Sequence, residues 1–328
     1  MKLQSNFMFR LIAAAILALS LWIPSSAAAQ IPAAHSLRGF RLALAQHPVK
    51  IPFEISEGGH IFLRVGVNGS GPLWFGLDSG MEGTTIGRQL AAKLKLKLRG
   101  GMQATGGGEG TVDFALARNI SFSLPGIKFV LREVGVIPLE FPSPISGQSL
   151  AGFLGYDFIS RYVVEIDYAA HTLNLYNPRS YRYRGHGEII PISMLDNNPY
   201  ISVRVALPGL APLKGMFVID SGAANDLLFN SPFVTKHKLL NSAQETTEAS
   251  SLGIGGTSKI RIGHATSVQF GKTIITRPGV QFSQATKGDD ASTIGAGAIG
   301  GKLLRQFKTV IFDQYRHRLI LEPNAQTR

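Results

Sequence analysis

No cysteine occurs anywhere in the 328 residues. Disulfides are therefore excluded, no thiol is present to carry a lipid, and the fold must rest on its buried core. Long apolar runs are scarce as well: the longest, Leu11 to Ile23, has about 13 residues, short of the roughly 20 a spanning helix needs. The eight His form no His-Glu-x-x-His and no close pair, so no metal site is expected. No Gly-Lys-Ser/Thr accompanies the glycine-rich stretches, which argues against a phosphate cradle. Gly295-Ala296-Gly297-Ala298-Ile299-Gly300 spells a dinucleotide fingerprint, but polar residues 288–293 precede it where a strand is required, and no cofactor is expected. Ser79 and Ser221 lie outside Gly-x-Ser-x-Gly elbows and show no His partner, so a serine hydrolase is a poor alternative.

Acidic residues are also in short supply, 21 against 33 Lys and Arg, for a formal charge of +12. Such a surplus favours an anionic partner such as an envelope surface. Nucleic acid is not expected, because neither a basic helix nor a stacking platform is present. The densest basic and aromatic patch, Arg179 to His186, reads as a solvated linker, with anionic docking as its second reading. At the N-terminus Lys2 and Arg10 precede the apolar run and Pro24-Ser25-Ser26-Ala27-Ala28-Ala29 follows it. That is the layout of a secretory signal peptide over 1–29, cleaved near Ala29, and it predicts a periplasmic or secreted protein of charge about +10.

What the chain does have is a repeat. Trp74-Phe75-Gly76-Leu77-Asp78-Ser79-Gly80 returns 142 residues later as Met216-Phe217-Val218-Ile219-Asp220-Ser221-Gly222. In each copy an apolar, strand-like run drives into an Asp, where a carboxylate is costly unless hydrogen-bonded, paired or functional. One Asp-Ser-Gly is ordinary turn vocabulary, but here the surroundings repeat too. Ile61 to Val67 is matched by Ile201 to Leu207, each leading through a Gly/Pro turn into the Asp strand as a β-hairpin. Ala151-Gly152-Phe153-Leu154-Gly155 is answered by Ala296-Gly297-Ala298-Ile299-Gly300, and Val163 to Asp167 by Val310 to Asp313. The chain is a tandem duplication. Between these landmarks the pattern predicts a strand over Val49 to Ile55, a helix over Gly87 to Leu94 and a half-buried strand over Lys95 to Leu98. Asp167 and Asp313, each ahead of a turn, read as turn-initiating residues.

With both elements present, in order, twice, the sequence resembles the aspartic proteases. The likeness is closest to bacterial retropepsin-like and pepsin-like proteins that carry two aspartyl-protease lobes in one secreted chain. It spans about residues 48 to 323. It implies an all-β fold of two homologous, barrel-like lobes with few short helices and pseudo-twofold symmetry. The expected organisation is a flexible lead-in over 30–47, an N-terminal lobe over 48–178, a linker over 179–187 and a C-terminal lobe over 188–325.

The resemblance also assigns roles. Asp78 and Asp220 would form a catalytic dyad that holds one proton between its members. Ser79 and Ser221 would cross-link the two loops, Gly80 and Gly222 would permit close approach, and Gly155 and Gly300 would brace the loops from behind. The glycine-rich stretches Gly106-Gly107-Gly108 and Gly255-Gly256 stand where the family has flaps that close over substrate. A flexible hairpin tip is the plain reading of the same residues. Two departures stand out: the family's flap Tyr is missing between Gly100 and Val112, and the first loop continues Met81-Glu82 where small residues are usual. Glu82, a third carboxylate, would raise the proton affinity of the pair unless it turns outward.

The expected activity is that of an aspartic endopeptidase, acting on a peptide or protein substrate as a two-lobed monomer. The alternative is a non-catalytic envelope protein using the same fold to bind extended peptides or an anionic surface.

Overall fold

A computed structural model describes residues 48–139, 147, 150–241 and 245–324. The expected signal peptide and lead-in, 1–29 and 30–47, lie outside them. Alternation and turn chemistry account for the first hairpin. Strand Ile61–Val67 is buried on both faces except at Arg64, whose guanidinium sits 4.6 Å over the Trp74 ring and donates to the Pro72 carbonyl at 2.7 Å. Asn68 and Gly69 turn the chain at positive φ, 48° and 79°, which Asn and Gly tolerate and a hairpin of this twist requires. The chain returns as Leu73–Leu77, antiparallel to the first strand.

The same construction recurs in the second half with Asn198–Ala206 and Leu213–Asp220. Around each hairpin the order of pairing is repeated. Leu73–Leu77 runs parallel to Gly152–Leu154, which is antiparallel to Thr85–Gly87, which is parallel to Ile127–Ile137. Leu213–Asp220 runs parallel to Gly297–Gly300, which is antiparallel to Leu227–Phe229, which is parallel to Gly279–Ser283. An eight-stranded sheet results in the first half and a ten-stranded one in the second.

A third sheet draws three strands from each half. Its order is Val49–Pro52, Thr172–Tyr176, Val163–Asp167, Phe307–Asp313, Arg318–Pro323, Glu188–Pro191. The duplicated strands Val163–Asp167 and Phe307–Asp313 pair antiparallel at its centre, so the twofold relation passes between them. The described residues of both halves fall in one compact unit. Fully buried aromatics carry much of the packing: Phe75, Phe122, Phe129, Phe158 and Tyr162 form a chain of ring contacts in the first half. Phe217, Phe229 and Phe282 do the same in the second, each ring removing about 1.5–3 kcal/mol worth of apolar surface from water. The α-helices are single-turn or little longer, Arg88–Lys93 and Ser231–Lys236 being the longest described. Among the described residues no helix is long and apolar enough to cross a membrane. The fold is all-β and protease-like, as the resemblance implied.

Four local expectations need correction. The strand over Val49 to Ile55 is two strands, Val49–Pro52 and Glu54–Ile55; Phe53 between them bonds instead to the His171 carbonyl. Lys95 to Leu98 is no strand, because the helix ends in a turn with Lys95 at φ 50° and the next strand, Arg99–Ala104, runs into the glycine-rich stretch. The linker is not simply solvated: Tyr181 is 8% exposed and packs with Val163, Ile311 and Ile320, while the Tyr183 hydroxyl donates to Glu322 at 2.9 Å and accepts from the Gly187 N–H. The tyrosines of the patch cover sheet, and Arg182 and Arg184 stay near solvent. Asp167 does initiate its turn, accepting from the N–H groups of Ala169 and Ala170. Asp313 does not: it is 0% exposed and takes ion pairs from Arg316 and Arg318, which a buried carboxylate needs.

Candidate active site

Each Asp strand ends between a parallel and an antiparallel neighbour, and the backbone leaves the sheet there. Gly80 N–H donates to Asp78 Oδ1 and Gly222 N–H to Asp220 Oδ1, both at 2.9 Å. The loops are then tied to each other by a mirrored set of bonds. Ser79 Oγ donates to the Ile219 carbonyl at 2.7 Å and accepts from Ser221 N–H at 3.0 Å. Ser221 Oγ donates to the Leu77 carbonyl at 2.9 Å and accepts from Ser79 N–H at 3.0 Å. Both serines are buried, so every donor and acceptor in the cross-link is satisfied away from water.

The cross-link brings the carboxyls together. Asp78 and Asp220 face one another, each lying over the other loop's glycine. A Cβ on Gly80 would come within 2.7 Å of Asp220 Cγ, and one on Gly222 would collide with the Asp78 carboxyl. Behind the loops, a Cβ on Gly155 would stand 2.5 Å from the Gly83 carbonyl oxygen, and one on Gly300 would meet the Asn225 carbonyl. Only glycine lets the brace approach that closely.

Burial, and then the negative charge of Asp220, hold the Asp78 carboxyl well above the usual range. Asp220 is also raised by burial, offset by the Gly222 N–H, the neighbouring Asp78 carboxyl and the Ala223 N–H. Two carboxyls this close do not both ionise readily, so the pair titrates as a unit with its proton affinity raised.

The departure at Met81 leaves this geometry intact, because what Asp78 uses is the Met81 backbone N–H. The Met81 sulfur turns to the Thr85 hydroxyl at 3.5 Å. Glu82 faces across to the second half: burial raises its pKa, followed by the charges of Asp196 and Asp289. Its carboxyl joins the wall of a cavity of about 550 Å³ that adjoins the pair and is lined also by Asp196, Tyr200, Asp289 and Ala298.

The glycine-rich hairpins roof this cavity and meet. Gly255 N–H donates to the Gly107 carbonyl at 2.8 Å and Gly110 N–H to the Gly255 carbonyl at 2.7 Å. The first tip is held on its other side as well: Glu109 Oε1 accepts from Thr286 N–H and Oγ at 2.6 and 2.8 Å, and Asp289 N–H donates to the Gly106 carbonyl at 3.2 Å. Gly106, Gly107, Gly108, Gly255 and Gly256 thus stand at one junction.

Several residues of the site escaped sequence reasoning. Thr84 braces the first loop by bonding Asp157 through its N–H and its hydroxyl, and His60 and Tyr200 line the cavity. His60 and Tyr200 immediately precede the repeated strands, and that position was the signal available. Among the described residues no three His, Asp or Glu side chains are placed to hold a metal ion.

A β fold in which two Asp-Ser-Gly loops are cross-linked through their serines is protease-like in its architecture. The comparison with protein families agrees for the first half: residues 63–158 match the family model described as aspartyl protease. That stretch contains the first Asp loop, its brace and its hairpin, and the match supports a peptidase of the aspartyl protease family. No curated protein matches the chain.

Proposed function

We propose that this protein is a two-lobed aspartic endopeptidase of the retropepsin-like and pepsin-like kind, exported to the periplasm or beyond the cell. The observation that carries the reading is the pair Asp78 and Asp220, each set against the glycine of the other's loop, on loops tied by mirrored serine bonds. A water held between the carboxyls gives a proton to the ionised member as it attacks the scissile carbonyl carbon, while the protonated member donates to the carbonyl oxygen. The pair ends with its proton exchanged from one side to the other, and collapse of the tetrahedral intermediate returns it. An extended peptide lies across the pair beneath the two hairpins, which shield it from water. The hairpins bond to one another, so they part to admit a chain.

The test is peptide cleavage by purified wild type and Asp220→Asn at acid pH. Loss of cleavage in the variant with unchanged folding supports the dyad. Cleavage that survives removes it, and a wild type that binds extended peptides without cutting them favours the binding protein.

A further inference from the structure

The floor of the cavity beside the carboxyl pair is one row of side chains running across the second-half sheet. Tyr200 pairs with Val218, Val218 with Ala298, Ala298 with Leu228 and Leu228 with Gln281, and cross-strand partners share a face. All five line the cavity. The corresponding row of the first half is Phe62, Gly76, Phe153, Thr85 and Gly135, of which only Phe153 does so. There the space is filled from within: the Phe153 ring lies over Gly76, and a Cβ on Gly135 would stand 2.8 Å from the Phe114 ring. Val218, Ala298 and Leu228 leave open what two aromatic rings occupy on the other side.

The walls above that apolar floor carry charge of one sign. Among the described residues six of the chain's 21 acids line the cavity, namely the pair itself with Glu82, Asp196, Asp289 and Asp290, and none of its 33 Lys and Arg does. Asp196 and Asn197 make a two-residue turn at φ 48° and 62°, and the Asn197 amide donates to the Glu82 carbonyl at 3.5 Å, which sets that turn against the first Asp loop. Asp289 accepts from the Thr105 hydroxyl at 3.4 Å, under the first hairpin. Asp290 is 7% exposed, and its hydrogen-bond partner is a neutral hydroxyl, Ser258 Oγ at 2.8 Å. Asp313, also buried, takes two arginines, whereas Asp290 has no cation within ion-pair distance among the described residues. A carboxylate so placed is costly until a cation meets it. The Asn198 side-chain oxygen, on a residue of the same wall, is buried with no donor. Leu195, Leu252 and Ile294 line the cavity too, yet all three are exposed, an apolar rim for a chain to cover.

We propose that this cavity is the specificity pocket of the cleft and takes an Arg or Lys side chain of the peptide, its methylene stem on Val218, Ala298 and Leu228 and its cationic end toward Asp289 and Asp290. This rests on the endopeptidase reading and names the substrate class of that site. The stem removes apolar surface from water, and the charge meets carboxylates that have no other cation. An acidic side chain is repelled there, and a neutral apolar one leaves the carboxylates unpaired, so selection works by penalty as well as by attraction.

Peptides that differ at one residue, Arg, Lys, norleucine or Glu, scanned through each position of an otherwise fixed apolar sequence, measure the preference. Wild type is expected to cut the Arg and Lys peptides with kcat/KM about 10–100-fold above the norleucine peptide at one position beside the scissile bond, and to reject Glu there. Asp290→Asn should reduce that ratio about tenfold, and Asp289→Asn less. Ala298→Phe, which fills the floor, should remove the preference by raising KM for the Arg and Lys peptides; it also carries the test should Asp290→Asn fail to fold. Cleavage with no preference for Arg or Lys at any position overturns the pocket and leaves the dyad standing. Equilibrium binding of the same peptides, labelled, separates the two readings. Tighter binding of the Arg and Lys peptides, lost in Ala298→Phe, upholds the pocket in a protein that cuts nothing, whereas equal or absent binding there overturns it.

Discussion

The two halves of this molecule keep the same main-chain bonds and exchange nearly every side chain around them. In the first, the position behind the Asp loop is a Thr84 to Asp157 hydrogen bond. In the second the matching residues are Asp226 and Lys302, 4.0 Å apart. The cross-strand pair beside the active loop is Gly76 with Phe153 in one half and Val218 with Ala298 in the other. The bulk has moved from one strand to its neighbour. In the first half Phe153 lies over Gly76, and in the second the space beside Ala298 is part of the cavity. The outer hairpin of the first half is two long strands, Val112–Leu124 and Ile127–Ile137. Its counterpart is broken at Ala265 to Thr266 and at Arg277 to Pro278, proline having no N–H for the ladder. The twofold relation is thus a property of backbone groups that must be satisfied. Side chains were free to diverge wherever they were not the donors.

That comparison is broken most severely at the acids. Asp78→Asn and Asp220→Asn should each lower peptide cleavage by about 10²–10⁴-fold, and the double variant should fall little further because the pair acts as a unit. Kinetics on all three checks it. Both carboxyls hold protons more tightly in the folded state, so their contribution favours the fold below the ordinary Asp range and is lost as pH rises through the raised values. Either Asn variant should therefore melt about 2–4 °C higher than wild type at neutral pH, a difference that closes in acid.

Ser79→Ala and Ser221→Ala test whether the cross-link is as even as its distances. Each removes a donor and leaves a buried N–H unpaired, costing about 1–3 kcal/mol in denaturant unfolding. The costs should match, and a double-mutant cycle should return coupling of about 0.5–3 kcal/mol.

The exchanged pair offers a transplant. Ala298→Phe alone overpacks the second half beside Val218 and should destabilise it by about 1–3 kcal/mol. Adding Val218→Gly should recover part of that loss while the ring closes the cavity, so that KM for peptides rises more than kcat falls.

The smallest effect is expected at the roof, where the tip of the first hairpin is clasped through its own carboxylate, Glu109. Glu109→Gln should speed amide hydrogen exchange at Gly107 to Gly110 relative to Gly253 to Gly256. The bonds to Thr286, and then nearby Lys287, lower the Glu109 pKa. Its clasp is thus present above the ordinary Glu range and is lost as pH falls through the lowered value. The excess exchange of the variant should vanish there.

Much of this was legible in the amino-acid order. Both hairpins and both Asp loops follow from local rules, since an apolar run ending at Asp, a small hydroxyl and Gly carries its own turn chemistry, while the glycine braces came from the family resemblance. Lys95 to Leu98 misled because alternation over four residues fits a frayed helix end as well as a strand. Asp313 misled because a carboxylate ahead of a turn looks the same whether water or two arginines will meet it. The tyrosines of 181 and 183 were read with their basic neighbours, and only the sheet beneath them separates the two.

By itself the sequence determined the two repeated Asp-Ser-Gly runs, the strand-rich class and which two acids correspond, because these depend on period and on chemistry within a few residues. The tertiary structure alone decided that the two Asp loops interlock with their carboxyls facing and that the two hairpins bond to each other. Those contacts join residues from different halves of the chain. Their energies depend on distance and on the exclusion of water, which no local pattern encodes.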